Sequence, residues 1–72
     1  MKKVYWTGTP PAKCDICQGP INTCFVDGKM RAGPWANMCL SCHKAHGVGL
    51  GTGRGQLYWL EPKGEQFSKV EG

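Results

Sequence analysis

The chain has 72 residues, of which 40% are hydrophobic, and a formal net charge of +4. One small domain is expected, and at this length its core is marginal without a metal, disulfides or a partner. A complete disulfide framework is disfavoured because the five cysteines are an odd number. Residues 1–10 turn polar too early for a secretory signal or a membrane span. We therefore expect a reduced, cytoplasmic protein whose thiols are available for a metal.

The first predicted element is a short strand at residues 2–6, where Val4, Tyr5 and Trp6 all favour extended backbone. The glycine and proline residues of segment 7–12 end it. The first of two Cys-x-x-Cys pairs follows this segment.

The two Cys-x-x-Cys pairs are the strongest signal in the sequence, and residues 18–38, 21 in number, separate them. Four thiolates in this spacing are typical of a structural Zn²⁺ site. A rival ligand set would use Cys24 or His46 in place of one cysteine, and iron is a second alternative for four sulfurs. The sequence predicts one Zn²⁺ held by Cys14, Cys17, Cys39 and Cys42.

A β-hairpin is predicted for residues 22–32, because Asp27-Gly28 is a favourable type I′ turn dipeptide between two strand-forming runs. Cys24 within it is interpreted as a small buried hydrophobe. Trp35 follows the hairpin and is expected to cover the metal site.

A helix of about two turns is predicted next, with Asn37 as its N-cap and Gly47 just after its end. Cys39 would then occupy the second helical position. His43 and His46 share the helix side of the metal-binding cysteines at spacings of three and four residues. Both histidines are predicted to lie in the second shell of the metal rather than to bind it.

The last third of the chain begins with a glycine-rich loop at 48–55, followed by strands at 56–60 and 66–70. With residues 2–6, these strands are expected to form a separate small antiparallel sheet. The role of the loop Gly49–Gly55 is left open among contact with phosphate, with a protein and with the chain's own metal site. The aromatic and apolar residues of the expected sheet are Trp6, Tyr58, Trp59, Leu60 and Phe67.

The order of knuckle, hairpin and helix within residues 14–47 resembles a treble-clef zinc finger of the GATA type. The resemblance implies a small, zinc-stabilised α+β fold in a single domain, 1–72, with accessory strands at 2–6 and 56–70. A zinc ribbon is the alternative fold. The whole chain also resembles small zinc proteins of bacteriophages, which share a glycine-rich run like that at 49–56. That resemblance implies the cytoplasm of an infected bacterium.

A catalytic role is not expected. Treble-clef nucleases of the HNH type need a histidine on the hairpin, and residues 14–38 contain neither histidine nor glutamate. We therefore predict a non-enzymatic adaptor with no membrane partner and no small-molecule substrate.

Two partner classes fit such an adaptor. The favoured one is nucleic acid, bound weakly and electrostatically, because four thiolates and one Zn²⁺ reduce the charge from +4 to +2. Trp35 or Tyr58 would then stack on bases. The alternative is a host protein, docked on an aromatic patch of Trp6, Tyr58 and Trp59. The basic residues predicted to contact phosphates are Lys2, Lys3, Lys29, Arg31, Lys44 and Arg54.

Overall fold

The computed structural model describes residues 3–64 and 66–72. Their secondary structure is one antiparallel four-stranded sheet and one helix, so the predicted small α+β class is confirmed. The strand order across the sheet is β2-β1-β3-β4. No described helix is long and apolar enough to cross a membrane. In chain order the elements are β1 (Cys24–Lys29), β2 (Trp35–Met38), α1 (Leu40–His46), β3 (Gly55–Leu60) and β4 (Phe67–Glu71).

The two strands predicted near the C-terminus are present as β3 and β4, but the prediction of a separate accessory sheet is wrong. β1 pairs with β3 over five residue pairs, including Phe25 with Tyr58, so the hairpin and the C-terminal strands share one sheet. Only tertiary pairing could reveal this, since each strand pattern is local.

The N-terminal segment does not form the strand predicted at 2–6, of which residue 2 lies outside the described residues. Tyr5 makes a single antiparallel bridge with Ser68. The amide of Trp6 donates to the carbonyl of Phe67 at 2.9 Å, and the amide of Lys69 donates to that of Val4 at 2.6 Å. The segment therefore covers the outer edge of β4, which would otherwise expose unpaired backbone groups.

The predicted turn at Asp27-Gly28 is wrong, because β1 runs straight through both residues. The hairpin between β1 and β2 turns later, where the amide of Gly33 donates to the carbonyl of Met30 at 2.9 Å. Gly33 has φ = 116°, a conformation that favours glycine. The hairpin itself is present, displaced by several residues.

The helix also begins later than predicted. Asn37 lies in β2, and Cys39 occupies the N-cap position without a side-chain capping bond. Gly47 ends the helix as predicted, donating its amide to the carbonyl of His43 at 2.7 Å. Its φ of −80° is available to any residue, but a Cβ at Gly47 would collide with the His43 ring. Space, rather than backbone conformation, requires glycine here.

The sheet carries a different core on each face. On one face, Phe25 and Tyr58 stack with ring centroids 5.3 Å apart, and Trp6 meets Phe25 edge-on at 5.2 Å. Val26 follows Phe25 and must point to the other face, where it pairs with the buried Met38. The sheet therefore separates an aromatic core from the face that supports the cysteines.

Candidate metal centre

The first cysteine pair sits in a tight turn. The amide of Cys14 donates to the carbonyl of Gly19 at 2.8 Å, and Lys13 and Pro20 form a β-bridge that closes the turn. The left-handed conformation falls on Gln18, with φ = 64°, rather than on the glycine. Gly19 instead donates its amide to the Cys17 sulfur at 3.4 Å, an interaction that favours the thiolate.

The second pair bridges the end of β2 and the first turn of α1. Cys39 immediately precedes the helix and Cys42 lies three residues later, so both sulfurs reach the same side. The carbonyl of Cys39 accepts the amide of His43 at 3.0 Å, which starts the helical hydrogen bonding. A short helix with no buried residue of its own is thus held by the cysteines at its start.

Asp15 fastens the two halves of the centre together. Its amide donates to the carbonyl of Asn37 at 2.9 Å, and its carboxylate accepts the Asn37 amide at 2.8 Å. This pair of bonds fixes the turn that carries Cys14 and Cys17 to the outer edge of β2. Sequence reasoning missed the role of Asp15, whose only local signal is its position inside the Cys-x-x-Cys turn.

The four predicted cysteines come together in space. Their sulfur atoms all lie within 4.8 Å of one another, and the Cys17 and Cys39 sulfurs are 3.8 Å apart. A tetrahedral Zn²⁺ with bonds of about 2.3 Å requires sulfurs about 3.8 Å apart. The donor set and its spacing therefore fit one tetrahedral metal ion, with Zn²⁺ as the expected ion.

The centre is protected unevenly. The Cys14 residue is fully buried, Cys39 and Cys42 are half-buried, and Cys17 is exposed. Ala36 and Met38, both buried, pack on Cys14 from β2, and they rather than Trp35 cover the metal site. The prediction for Trp35 is wrong because it alternates with Ala36 along β2 and points to the opposite face.

The protonation of the thiols shows why a cation suits this cluster. Burial raises the pKa of Cys14, but the backbone amides of Cys17, Cys39 and Ile16 outweigh it and lower the pKa to about 6. Burial and the neighbouring sulfurs raise the pKa of Cys42 to about 12. The backbone thus prepares one thiolate, and a divalent cation would supply the charge that the other sulfurs need.

The two histidines and the fifth cysteine are not members of the cluster of four sulfurs. The Nε2–H of His43 donates to the carbonyl of Gly49, with the two atoms 3.0 Å apart, and His46 is exposed. Cys24 pairs across the sheet with Trp59 and is half-buried. Within residues 3–64 and 66–72, the group that can hold a metal contains only the four cysteines. The second-shell role of the histidines stays a prediction.

Four of the six basic residues predicted to contact phosphates gather at one end of the sheet. The amide of Lys29 donates to the carbonyl of Arg54 at 2.7 Å, and the amide of Arg31 donates to that of His46 at 2.8 Å. These bonds join the end of β1 to the residue before β3 and to the end of α1. We call this cluster the basic end; its members are Lys29, Arg31, Lys44 and Arg54.

The other two predicted phosphate contacts are not at the basic end. Lys3 forms an ion pair with Glu61 at 2.9 Å, and their hydrogen bond raises the pKa of Lys3 and lowers the pKa of Glu61. Glu61 follows the last residue of β3, whereas Arg54 precedes its first, so a strand length separates them. Lys2 lies outside the described residues.

The predicted aromatic docking patch does not form. Tyr58 is 9% exposed and belongs to the aromatic core, and Trp6 packs edge-on against it at 5.3 Å. Trp59, 43% exposed, points to the opposite face because it follows Tyr58 in β3. The burial of Tyr58 also rules out its predicted stacking on bases.

Comparisons of the chain with family models, with curated proteins and with solved structures find no match. Its functional interpretation therefore depends on the chemistry of the cysteine cluster and of the basic end.

Proposed function

We propose that the protein is a non-enzymatic, zinc-stabilised module of treble-clef type that binds nucleic acid through phosphate contacts at the basic end. The order of knuckle, β1–β2 hairpin and helix around the four cysteines supports the treble-clef assignment. The zinc has a structural role in this proposal, because four cysteine ligands leave no open coordination position for a substrate.

The observation that carries the nucleic-acid proposal is the convergence of four cationic residues from different segments. Lys29 ends β1 and Arg31 lies in the turn that follows it, Lys44 belongs to α1, and Arg54 belongs to the glycine-rich loop. A cluster of this kind neutralises several neighbouring phosphates and releases their counterions. The loop adds no acidic residue between 48 and 55.

Binding should be weak and should not depend on base sequence. Two carboxylates lie close by: Asp27 is two residues before Lys29, and Glu71 pairs with Leu57 near the start of β3. The guanidinium of Arg31 also donates to the carbonyl of Ala45 at 3.1 Å, which ties part of its charge to the helix end. The helix has only seven residues, and its first turn carries metal-binding cysteines. It is too short to read bases as recognition helices do.

A non-enzymatic role is supported by the occupation of the polar groups near the cysteines. The Asp15 carboxylate accepts the Asn37 amide, and the His43 imidazole donates to the carbonyl of Gly49. The Asp15 carboxylate is therefore already engaged, and four cysteine ligands leave no coordination position for a metal-bound water. The phage-type setting and the cytoplasmic location stay predictions.

Titration of a labelled DNA duplex at several salt concentrations between about 50 and 200 mM tests the proposal. Four phosphate contacts predict a log–log slope of about −3 to −4, with no preference for one sequence. Absence of binding at the lowest salt, to the duplex and to a single strand of equal length, would contradict the proposal and would favour a protein partner. Tight binding that persists at high salt and prefers one sequence would contradict the non-specific mode.

A further inference from the structure

A tryptophan with a large exposed surface lies beside the basic end. Trp35 is 48% exposed and is the direct cross-strand partner of Lys29 in the β1–β2 ladder. Directly opposed residues of an antiparallel pair have their Cβ atoms about 4.5–5.5 Å apart on the same face. The Trp35 indole and the Lys29 ammonium group therefore project from the same face of the sheet, at the end of the β1–β2 ladder.

The row continues across a third strand. The amide of Lys29 donates to the carbonyl of Arg54 at 2.7 Å, which extends the β1–β3 register by one residue beyond Gly28 and Gly55. Trp35 in β2, Lys29 in β1 and Arg54, the residue before β3, thus follow one another across this end of the sheet. Neighbouring strands are about 4.8 Å apart, so the backbones of the outer two are about 10 Å apart.

We propose that this row is a binding surface for single-stranded nucleic acid, in which Trp35 stacks on an unpaired base while Lys29 and Arg54 contact the adjoining phosphates. An aromatic platform beside cationic side chains is the combination that recognises single strands without regard to sequence. In a duplex the base faces are already stacked on one another, so Trp35 has nothing equivalent to contact. This inference rests on the proposed function and specifies its ligand class.

The acidic neighbour limits how the strand can run. Asp27 lies on the same face as Lys29, two residues away, and opposite Asn37. Its carboxylate repels phosphates, so the strand should follow the end of the sheet from Trp35 towards Arg54 instead of running along β1. The surface therefore accommodates a short segment of one or two nucleotides.

The chain offers a matched control for the aromatic contact. Trp59 is 43% exposed, nearly as much as Trp35, but it points to the other face and pairs with Cys24 and Ser68 rather than with a cation. Replacing Trp35 and Trp59 in turn compares two exposed indoles that differ in their charged surroundings.

The experiment measures binding of labelled oligothymidine, oligouridine, a DNA duplex of equal length and inorganic polyphosphate to the zinc-loaded protein at one low salt concentration. Both single strands should bind more tightly than the duplex and the polyphosphate. Trp35→Ala should weaken single-strand binding about tenfold and leave duplex binding unchanged, while Trp35→Phe should keep most of the affinity and Trp59→Ala all of it.

The outcomes separate this inference from the proposed function. Salt-dependent duplex binding with equal single-strand affinity, or with no effect of Trp35→Ala, would overturn the single-strand inference and leave the proposed function standing. Failure of the wild-type protein to bind any of the four probes would overturn both. Circular dichroism and zinc content of each variant establish that the fold is intact, which the exposure of Trp35 leads us to expect.

Discussion

Gly28 of β1 lies directly opposite Gly55 of β3, and a Cβ at either position would lie closer to its neighbours than ordinary van der Waals contact allows. A Cβ at Gly28 would lie 3.1 Å from the Val26 side chain and 3.3 Å from the carbonyl of Arg54. A Cβ at Gly55 would lie 3.1 Å from the Cα of Gly28. This contact keeps the ends of β1 and β3 together and so positions the basic end.

Alanine at either glycine should therefore destabilise the fold. Overpacking of this kind costs typically 1–3 kcal/mol, and we expect Gly28→Ala and Gly55→Ala each to fall in that range. The double variant should lose more than the sum of the two, because both methyl groups enter the same space. Urea unfolding of the zinc-loaded variants measures this. Strict additivity would show that the two strands separate easily at this point.

Removal of the metal should unfold the protein. A domain this small depends on the free energy of zinc binding, so a strong chelator should abolish its circular dichroism signal and dissociation of one Zn²⁺ should accompany the loss. Native mass spectrometry of the untreated protein should show one zinc. Retention of the folded signal in excess chelator would contradict a structural role for the metal.

Zinc binding should also depend on pH in a definite direction. Cys42, whose pKa is raised to about 12, keeps its proton at pH 7 until the metal displaces it. Binding at pH 7 should therefore release protons, and the affinity should rise from pH 6 to pH 8 as protons compete less with the metal. Calorimetry in buffers of different ionisation enthalpy counts the released protons. An affinity that does not change over this range would contradict thiolate ligation.

The fifth cysteine distinguishes the proposed ligand set from its rivals. Cys24→Ser should keep one Zn²⁺ per chain, since Cys24 lies in β1 outside the cluster of four sulfurs. Cys42→Ser should lose the zinc or fold poorly, although it makes the same chemical change. Zinc content after dialysis compares the two. Loss of zinc from Cys24→Ser alone would show that Cys24 is a ligand.

His43 and His46 provide a matched pair for the helix end. His43→Ala removes the hydrogen bond to the carbonyl of Gly49 and should cost about 0.5–1.5 kcal/mol, with faster amide exchange in residues 48–54. His46→Ala should have little effect because His46 is exposed. Both variants should keep stoichiometric zinc. An emptied metal site in His46→Ala would contradict the four-cysteine ligand set.

The features that depend on nearby residues were predicted correctly from the sequence. The features that depend on pairing between distant residues were not. The Cys-x-x-Cys turns, the strands after residue 55 and the helix end at Gly47 depend on residues close in sequence, and the structure contains them. The turn predicted at Asp27-Gly28 failed because Gly28 is needed opposite Gly55, 27 positions away in the sequence. The late helix start has a similar cause, since Asn37 is held in β2 by Asp15. Neither partner could be identified from local propensity.

Charge-removing variants at the basic end give the last prediction. Lys44→Ala and Arg54→Ala each remove one exposed cation and should each flatten the salt dependence of duplex binding by about one unit of log–log slope. Lys63→Ala makes the same change of net charge beyond the opposite end of β3 and should leave the slope unchanged.

Asp27→Asn should change nucleic-acid binding in the opposite direction, because it removes a negative charge. Burial raises the pKa of Asp27, and its ionised carboxylate repels phosphates bound at Lys29. Its replacement should therefore strengthen binding at pH 7, and the gain should shrink as the pH falls towards the pKa of the carboxyl. If Lys63→Ala weakened binding as much as Arg54→Ala, only the net charge of the protein would matter. The basic end would then have no special role.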